Sequence, residues 1–149
     1  MNPMMLNQQQ ICKLIPHSGN MCLLEAVKFF DEKKIICLSR THVLIDNPLR
    51  NSVELPMVSL IEYGAQAMAV HAALLAKQGS MDKVQEGYLV ALRSIELAEG
   101  CLCDYKDELE IQAEQIYKDA GNMIYLMQIK AKNKVLASGR ATVMGKFVE

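Results

Sequence analysis

One carboxylate, Glu62, interrupts a run from Pro56 to Lys77 that is otherwise almost entirely apolar or small. Burying a carboxylate in such a run is costly unless a partner satisfies it. Carboxyls in apolar surroundings hold their protons, and a protonated one can act as a general acid. The alternative is a structural Glu paired with a hydroxyl or with an arginine such as Arg93. Ser59 stands three residues before Glu62 and Gln66 four after, so the three share one helix face. That polar stripe suits either a lined pocket or hydrogen bonds to a sheet or a second subunit. The helix N-terminus lies beside Glu62, where free backbone N–H groups can polarise a carbonyl oxygen.

His17 lies in Ile15-Pro16-His17-Ser18-Gly19. A proline-constrained turn fixes how the imidazole is presented, and histidine is the usual general base near neutrality. A hydrogen-bonded turn histidine is the competing reading. His71 is nine residues from Glu62, roughly half a turn away around a helix, so the two cannot form a dyad within one chain. It is expected to be a packing or interface histidine, and His42 an edge or loop-proximal structural one. The five cysteines are odd in number and follow no basic, apolar leader, which fits reduced thiols and a cytoplasmic protein. Cys101 and Cys103 would contribute to a metal site only if other ligands converged on them. No histidine lies near them in sequence, so they are expected to be small half-buried residues with no metal.

The elements that must hold these groups follow from periodicity and punctuation. Gln8–Ile15 reads as one or two helical turns stopped by Pro16, and Met21–Phe30 with Ile35–His42 as a β-hairpin around Asp31-Glu32-Lys33-Lys34. The long helix begins at Pro56 and ends at Lys77-Gln78-Gly79. Its length would span a bilayer, but Glu62, Gln66 and His71 inside it favour a helix buried in its own protein. Ser80–Glu86 reads as a loop, followed by strands at Gly87–Leu97, Leu109–Lys118, Met123–Lys132 and Val135–Phe147, with a tight hairpin at Asn133-Lys134. The pattern is one α+β domain over residues 1–149: an antiparallel sheet of five to six strands wrapped around one long helix. Its open edges favour a symmetric assembly.

Composition agrees. The chain has 149 residues, 51% hydrophobic and 22% charged, enough for one core. Sixteen basic against seventeen acidic residues leave a net charge of −1, which removes the electrostatic case for nucleic acid or an anionic membrane. Ten methionines and no tryptophan give a pliable interior that tolerates varied shapes.

Three strings in consistent order carry a resemblance: Ile15-Pro16-His17 with Met21 to Val27; Leu55-Pro56 with Leu60 to Ala69; and Gly87 to Ile95 with Asp107-Glu108-Leu109. Together they resemble hot-dog-fold 3-hydroxyacyl-(acyl carrier protein) dehydratases, closest to the dehydratase-like branch of aryl polyene biosynthesis. The chain departs from the fatty-acid type at Pro48, where those enzymes carry a His-Phe-Pro-Gly-like motif; no histidine lies between His42 and His71.

The resemblance implies loss of water from a 3-hydroxyacyl thioester to give the trans-2-enoyl thioester, in fatty-acid-like or polyene chain synthesis. His17 would be the base, across a subunit boundary, and Glu62 the acid. Ser59, Gln66 and Arg93 would bind substrate, and Arg50 and Arg140 would meet phosphate or the carrier. The thioester would arrive on the phosphopantetheine of an acyl carrier protein or as a coenzyme A ester, with no other cofactor. The partner would be an identical or a different hot-dog subunit. Two rivals are an acyl thioesterase, with Glu62 activating water, and a non-catalytic subunit that stabilises an active dehydratase.

Overall fold

The computed structural model describes residues 5–15, 21–52, 54–79 and 84–147. His17 and Pro16 lie outside them. The chain opens with a two-residue strand β1 (Leu6–Asn7) that runs into helix α1 (Gln8–Leu14). Asn7 caps α1, its side chain accepting from Gln10 N–H while the Gln10 side chain accepts from Asn7 N–H, a reciprocal capping box. Strands β2 (Ala26–Phe30) and β3 (Lys34–Ser39) form the expected hairpin. Its turn is held by the Asp31 carboxylate, which accepts from Lys33 and Lys34 N–H. The bond from Lys34 leads the influences that hold Asp31 below its usual range.

A 3-10 turn (Met57–Ser59) leads into the central helix α2 (Leu60–Lys77). Then come β4 (Val84–Leu97), a short 3-10 turn (Leu102–Asp104), β5 (Leu109–Asp119), β6 (Asn122–Ala131) and β7 (Lys134–Phe147). All pairings are antiparallel, in the order β1-β2-β3-β5-β6-β7-β4. The last three strands form a meander, but β4 does not precede it in space. It lies on the far side of β7, so the chain crosses the whole sheet through α2 between β3 and β4.

Several boundaries differ from the sequence reading. Among the described residues the sheet has seven strands, because β1, too short to show periodicity, adds an edge beside β2. Strand β4 begins at Val84, inside the polar stretch read as a loop. The last hairpin turns at Lys132-Asn133, one residue earlier than expected, since Ala131 pairs with Lys134. Both turn residues have positive φ (49° and 68°), as a type I′ turn requires.

The core lies between α2 and the concave face of the sheet. Alternation places Leu109, Ile111 and Ala113 of β5 and Met123, Tyr125, Met127 and Ile129 of β6 against the helix. The stretch Met57–Lys77 is long and apolar enough to cross a membrane, but more than half of it is buried against the rest of the chain. It is the core helix. Close approach depends on Gly64, where an added Cβ would sit 2.5 Å from Met127 Sδ. A Gly64→Val substitution should therefore overpack the α2–β6 contact and lower stability by about 1–3 kcal/mol. Urea unfolding would show it as a lower midpoint at unchanged slope.

Candidate functional site

Glu62 sits in the first turn of α2 and is half-buried. Gln66, one turn on, is 1% exposed and has its whole amide engaged by protein groups. Its Oε1 accepts from Leu23 N–H (2.9 Å), while Nε2 donates to the Met21 carbonyl (2.8 Å) and to Glu62 Oε1 (3.2 Å). One side chain thus fastens residues 21–23 to the carboxylate of the helix. The same segment is tied twice more, by Gln8 Nε2 donating to the Cys22 carbonyl (3.1 Å) and by a Cys12–Cys22 disulfide.

That disulfide corrects the expectation of free thiols. Cys12 on α1 and Cys22 stand 5.8 Å apart at Cα, and Cys101 and Cys103 are joined as well, at 5.1 Å. An odd count says nothing about which thiols the fold brings together. Cys37 stays free, and burial among apolar side chains pushes its thiol up to about 12.

Behind Glu62, Tyr63 points into a closed polar network. Its hydroxyl lies 2.8 Å from Thr41 Oγ1 and accepts from Asn47 Nδ2 (3.0 Å). The Ser39 and Thr41 hydroxyls both donate to the Leu23 carbonyl. Burial raises the Tyr63 pKa, so the phenol stays neutral. Residues 21–23 are therefore gripped from one side by Gln66 and from the other by this network. Nothing in the local pattern of Ser39, Thr41 or Asn47 announced this; only the packing of α2 against the end of β3 reveals it.

Of the other expected site residues, Ser59 is half-buried in the 3-10 turn before α2, with its side chain not capping the helix. Arg93 is exposed on β4 and faces Arg140 of β7 across the ladder. Its place is on the sheet, and its side chain is open to solvent. A depression of about 530 Å³ lies between β4, β5, β6 and β7, lined by Ser94, Glu96, Gln112, Glu114 and Arg140 among others. It includes none of Ser59, Glu62 and Gln66. Arg50 Nη2 donates to the His42 carbonyl, so this arginine braces a loop.

His71 packs as expected. It is fully buried, with Nε2 2.8 Å from the Asp31 carbonyl and Nδ1 2.8 Å from the Tyr125 hydroxyl. The carbonyl can only accept, so Nε2 carries the proton and Nδ1 accepts from Tyr125. His42 is loop-proximal, one of the two expected placements: it is fully buried in the 3-10 turn Thr41–Val43 after β3, with the Tyr105 and Asp107 backbone beside its ring. The chain folds back over the end of β3, which the strand pattern alone did not show. Burial lowers the pKa of both histidines. The unfolded chain binds these protons near pH 6.5 and the folded one resists them, so stability is complete above about 6.5 and declines as pH falls below it. Denaturant midpoints at pH 8 and pH 5.5 should show the loss, and His71→Gln should flatten the slope.

A single antiparallel sheet curled about one buried helix, with a carboxylate in that helix's first turn, is the hot-dog fold. Within it the chain belongs to the ApeP-like dehydratase family: the model for the ApeP dehydratase matches residues 9–146. No curated protein matches it by sequence. Among solved structures it is similar to the dehydratase heterocomplex ApeI:P from Xenorhabdus doucetiae, with 24% identity, TM-score 0.80, and coverage of 91% of this chain and 90% of that one. It is also similar to a hypothetical thioesterase with coenzyme A from Streptococcus pneumoniae (12% identity, TM-score 0.59, 81% of this chain and 84% of that one). A third is the Escherichia coli PaaI protein of the phenylacetic acid degradation operon (13%, TM-score 0.57, 92% and 88%).

Proposed function

We propose that this chain dehydrates a 3-hydroxyacyl thioester, carried by acyl carrier protein, to the trans-2-enoyl thioester during fatty-acid-like or aryl polyene chain synthesis. The observation that carries the reading is the Gln66 bridge. It joins Glu62 to the carbonyl of Met21, four residues after His17. That tie holds residues 21–23 against the start of α2, the segment from which His17 would have to reach. The Cys12–Cys22 link ties the same segment to α1.

His17 takes the Cα proton, and the free N–H groups at the start of α2 stabilise the negative charge that develops on the thioester oxygen. Glu62 gives its proton to the departing C3 hydroxyl, which leaves as water, and the C2–C3 double bond forms. The proton taken by His17 returns to Glu62 before the next turnover. Gln66 orients Glu62, and Ser59 and Arg93 contact the pantetheine-linked substrate. The acyl chain lies in a tunnel completed by a second hot-dog subunit, identical or different. The chemistry needs no metal or redox cofactor, and a cytoplasmic setting supplies the carrier.

A second reading is a subunit that shapes and stabilises an active dehydratase partner. It is favoured by the ApeI:P structure being a heterocomplex and by Pro48 standing where fatty-acid dehydratases place a histidine. His17→Ala separates the two. If this chain is catalytic, the variant assayed alone should lose about 10²–10⁴ in turnover. If it is a supporting subunit, the mixed complex should turn over as fast with the variant as with wild type.

A further inference from the structure

The loop between β4 and β5 brings a close pair of cysteines beside a carboxylate far earlier in the sequence. Glu54 precedes the central helix by a few residues, and Cys101 and Cys103 follow β4. One carboxylate oxygen and the two sulfurs all lie within 4.8 Å of one another, and all three residues are half-buried.

The backbone around them is built rather than loose. Pro56 pairs with Cys101 in a short antiparallel bridge, and Leu102 N–H donates to the Leu55 carbonyl (3.2 Å). The Leu102 side chain is fully buried and pins the turn to the core. Cys103 N–H donates to Cys101 Sγ (3.1 Å), the kind of bond that favours a thiolate sulfur. On the other side Asn51 Oδ1 accepts from Glu54 N–H (2.6 Å), which fixes the Glu54 backbone.

The geometry points to a binding site for a thiophilic divalent cation such as zinc, held by Cys101, Cys103 and Glu54 with water in the fourth position. Two thiolates and a carboxylate suit a borderline-soft ion, and once the disulfide is reduced the sulfurs need part only to about 3.8 Å to take up tetrahedral bonds of about 2.3 Å. One residue between the cysteines is shorter than the usual zinc knuckle. The 3-10 turn Leu102–Asp104, which starts with Cys101 as its cap, folds both sulfurs to the same side.

The disulfide is the oxidised state of the same pair. A thiol reductant delivers two electrons and two protons to it, two reductant thiols becoming one disulfide. The cation then displaces the two cysteine protons. The occupied site would staple the β4–β5 loop to the segment that starts α2, without entering the dehydration chemistry.

The test uses the whole chain, reduced with a water-soluble phosphine, freed of it under anaerobic conditions and titrated with Co²⁺. The expected result is sulfur-to-cobalt charge-transfer absorption that saturates at one ion per chain and is displaced by Zn²⁺. It should vanish in Cys101→Ser and in Cys103→Ser and persist in Cys22→Ser. Glu54→Gln keeps both thiols and should retain the band with affinity lowered at least about tenfold. Absence of the band in reduced wild type would overturn the site. So would its survival in Cys101→Ser, its loss in Cys22→Ser, or unchanged affinity in Glu54→Gln.

Discussion

Glu62→Gln is expected to reduce dehydration of a 3-hydroxyacyl-carrier protein by about 10²–10⁴-fold while the protein stays folded. The glutamine is nearly isosteric, and its side-chain oxygen can still accept from Gln66 Nε2, as Glu62 Oε1 does. What the substitution removes is the group from which the proposed mechanism draws its proton. The defect should therefore fall on kcat with little change in KM, because the substrate is held elsewhere and the proton matters only as the C–O bond breaks. An unchanged thermal midpoint beside the lost rate would separate chemistry from folding. Equal rates in variant and wild type would remove Glu62 from the mechanism.

The second large effect belongs to Gln66. Gln66→Met leaves the Leu23 N–H, buried at 0% exposure, without its acceptor. An unsatisfied buried donor costs about 1–3 kcal/mol, and in a domain of this size each kcal/mol moves the melting temperature by roughly 2–4 °C. The segment after His17 also loses one of its ties to α2, so turnover should fall by more than the folded fraction does. Gln66→Glu distinguishes positioning from mere stability. It keeps an acceptor for Leu23 N–H but sets a second carboxylate beside Glu62. Like charges at that distance favour the protonated forms, so the alkaline side of the pH–rate profile, where the acid loses its proton, should move upward. A profile that does not move in Gln66→Glu would reduce Gln66 to a structural clamp.

Much of this arrangement was legible in the residues. The run from Pro56 to Lys77 gave the helix, and alternation in Leu109–Glu114 and Met127–Lys132 gave strands that hold to within a few residues. The helix-face argument placed Gln66 with Glu62 and set His71 apart, and the hydrogen bonds agree. What sequence could not show was long-range: which strand neighbours which, and which loop returns to which helix. The position of β4 beyond β7 depends on the path of α2 beneath the sheet, which no local periodicity encodes. The same holds for the Cys12–Cys22 link and for the meeting of Glu54 with Cys101 and Cys103. The full burial of His42 was equally hidden, because it depends on the chain folding back over the end of β3.

The most direct measurement is the mass of a 3-hydroxyacyl-carrier protein before and after incubation with the purified protein. The expected result is a decrease of one water with the acyl chain still on its carrier, and no decrease with Glu62→Gln or His17→Ala. Release of the free 3-hydroxy acid would instead make the chain a thioesterase. A carrier whose mass is unchanged by wild type alone, together with an active hot-dog partner whose rate ignores both substitutions, would contradict a catalytic role.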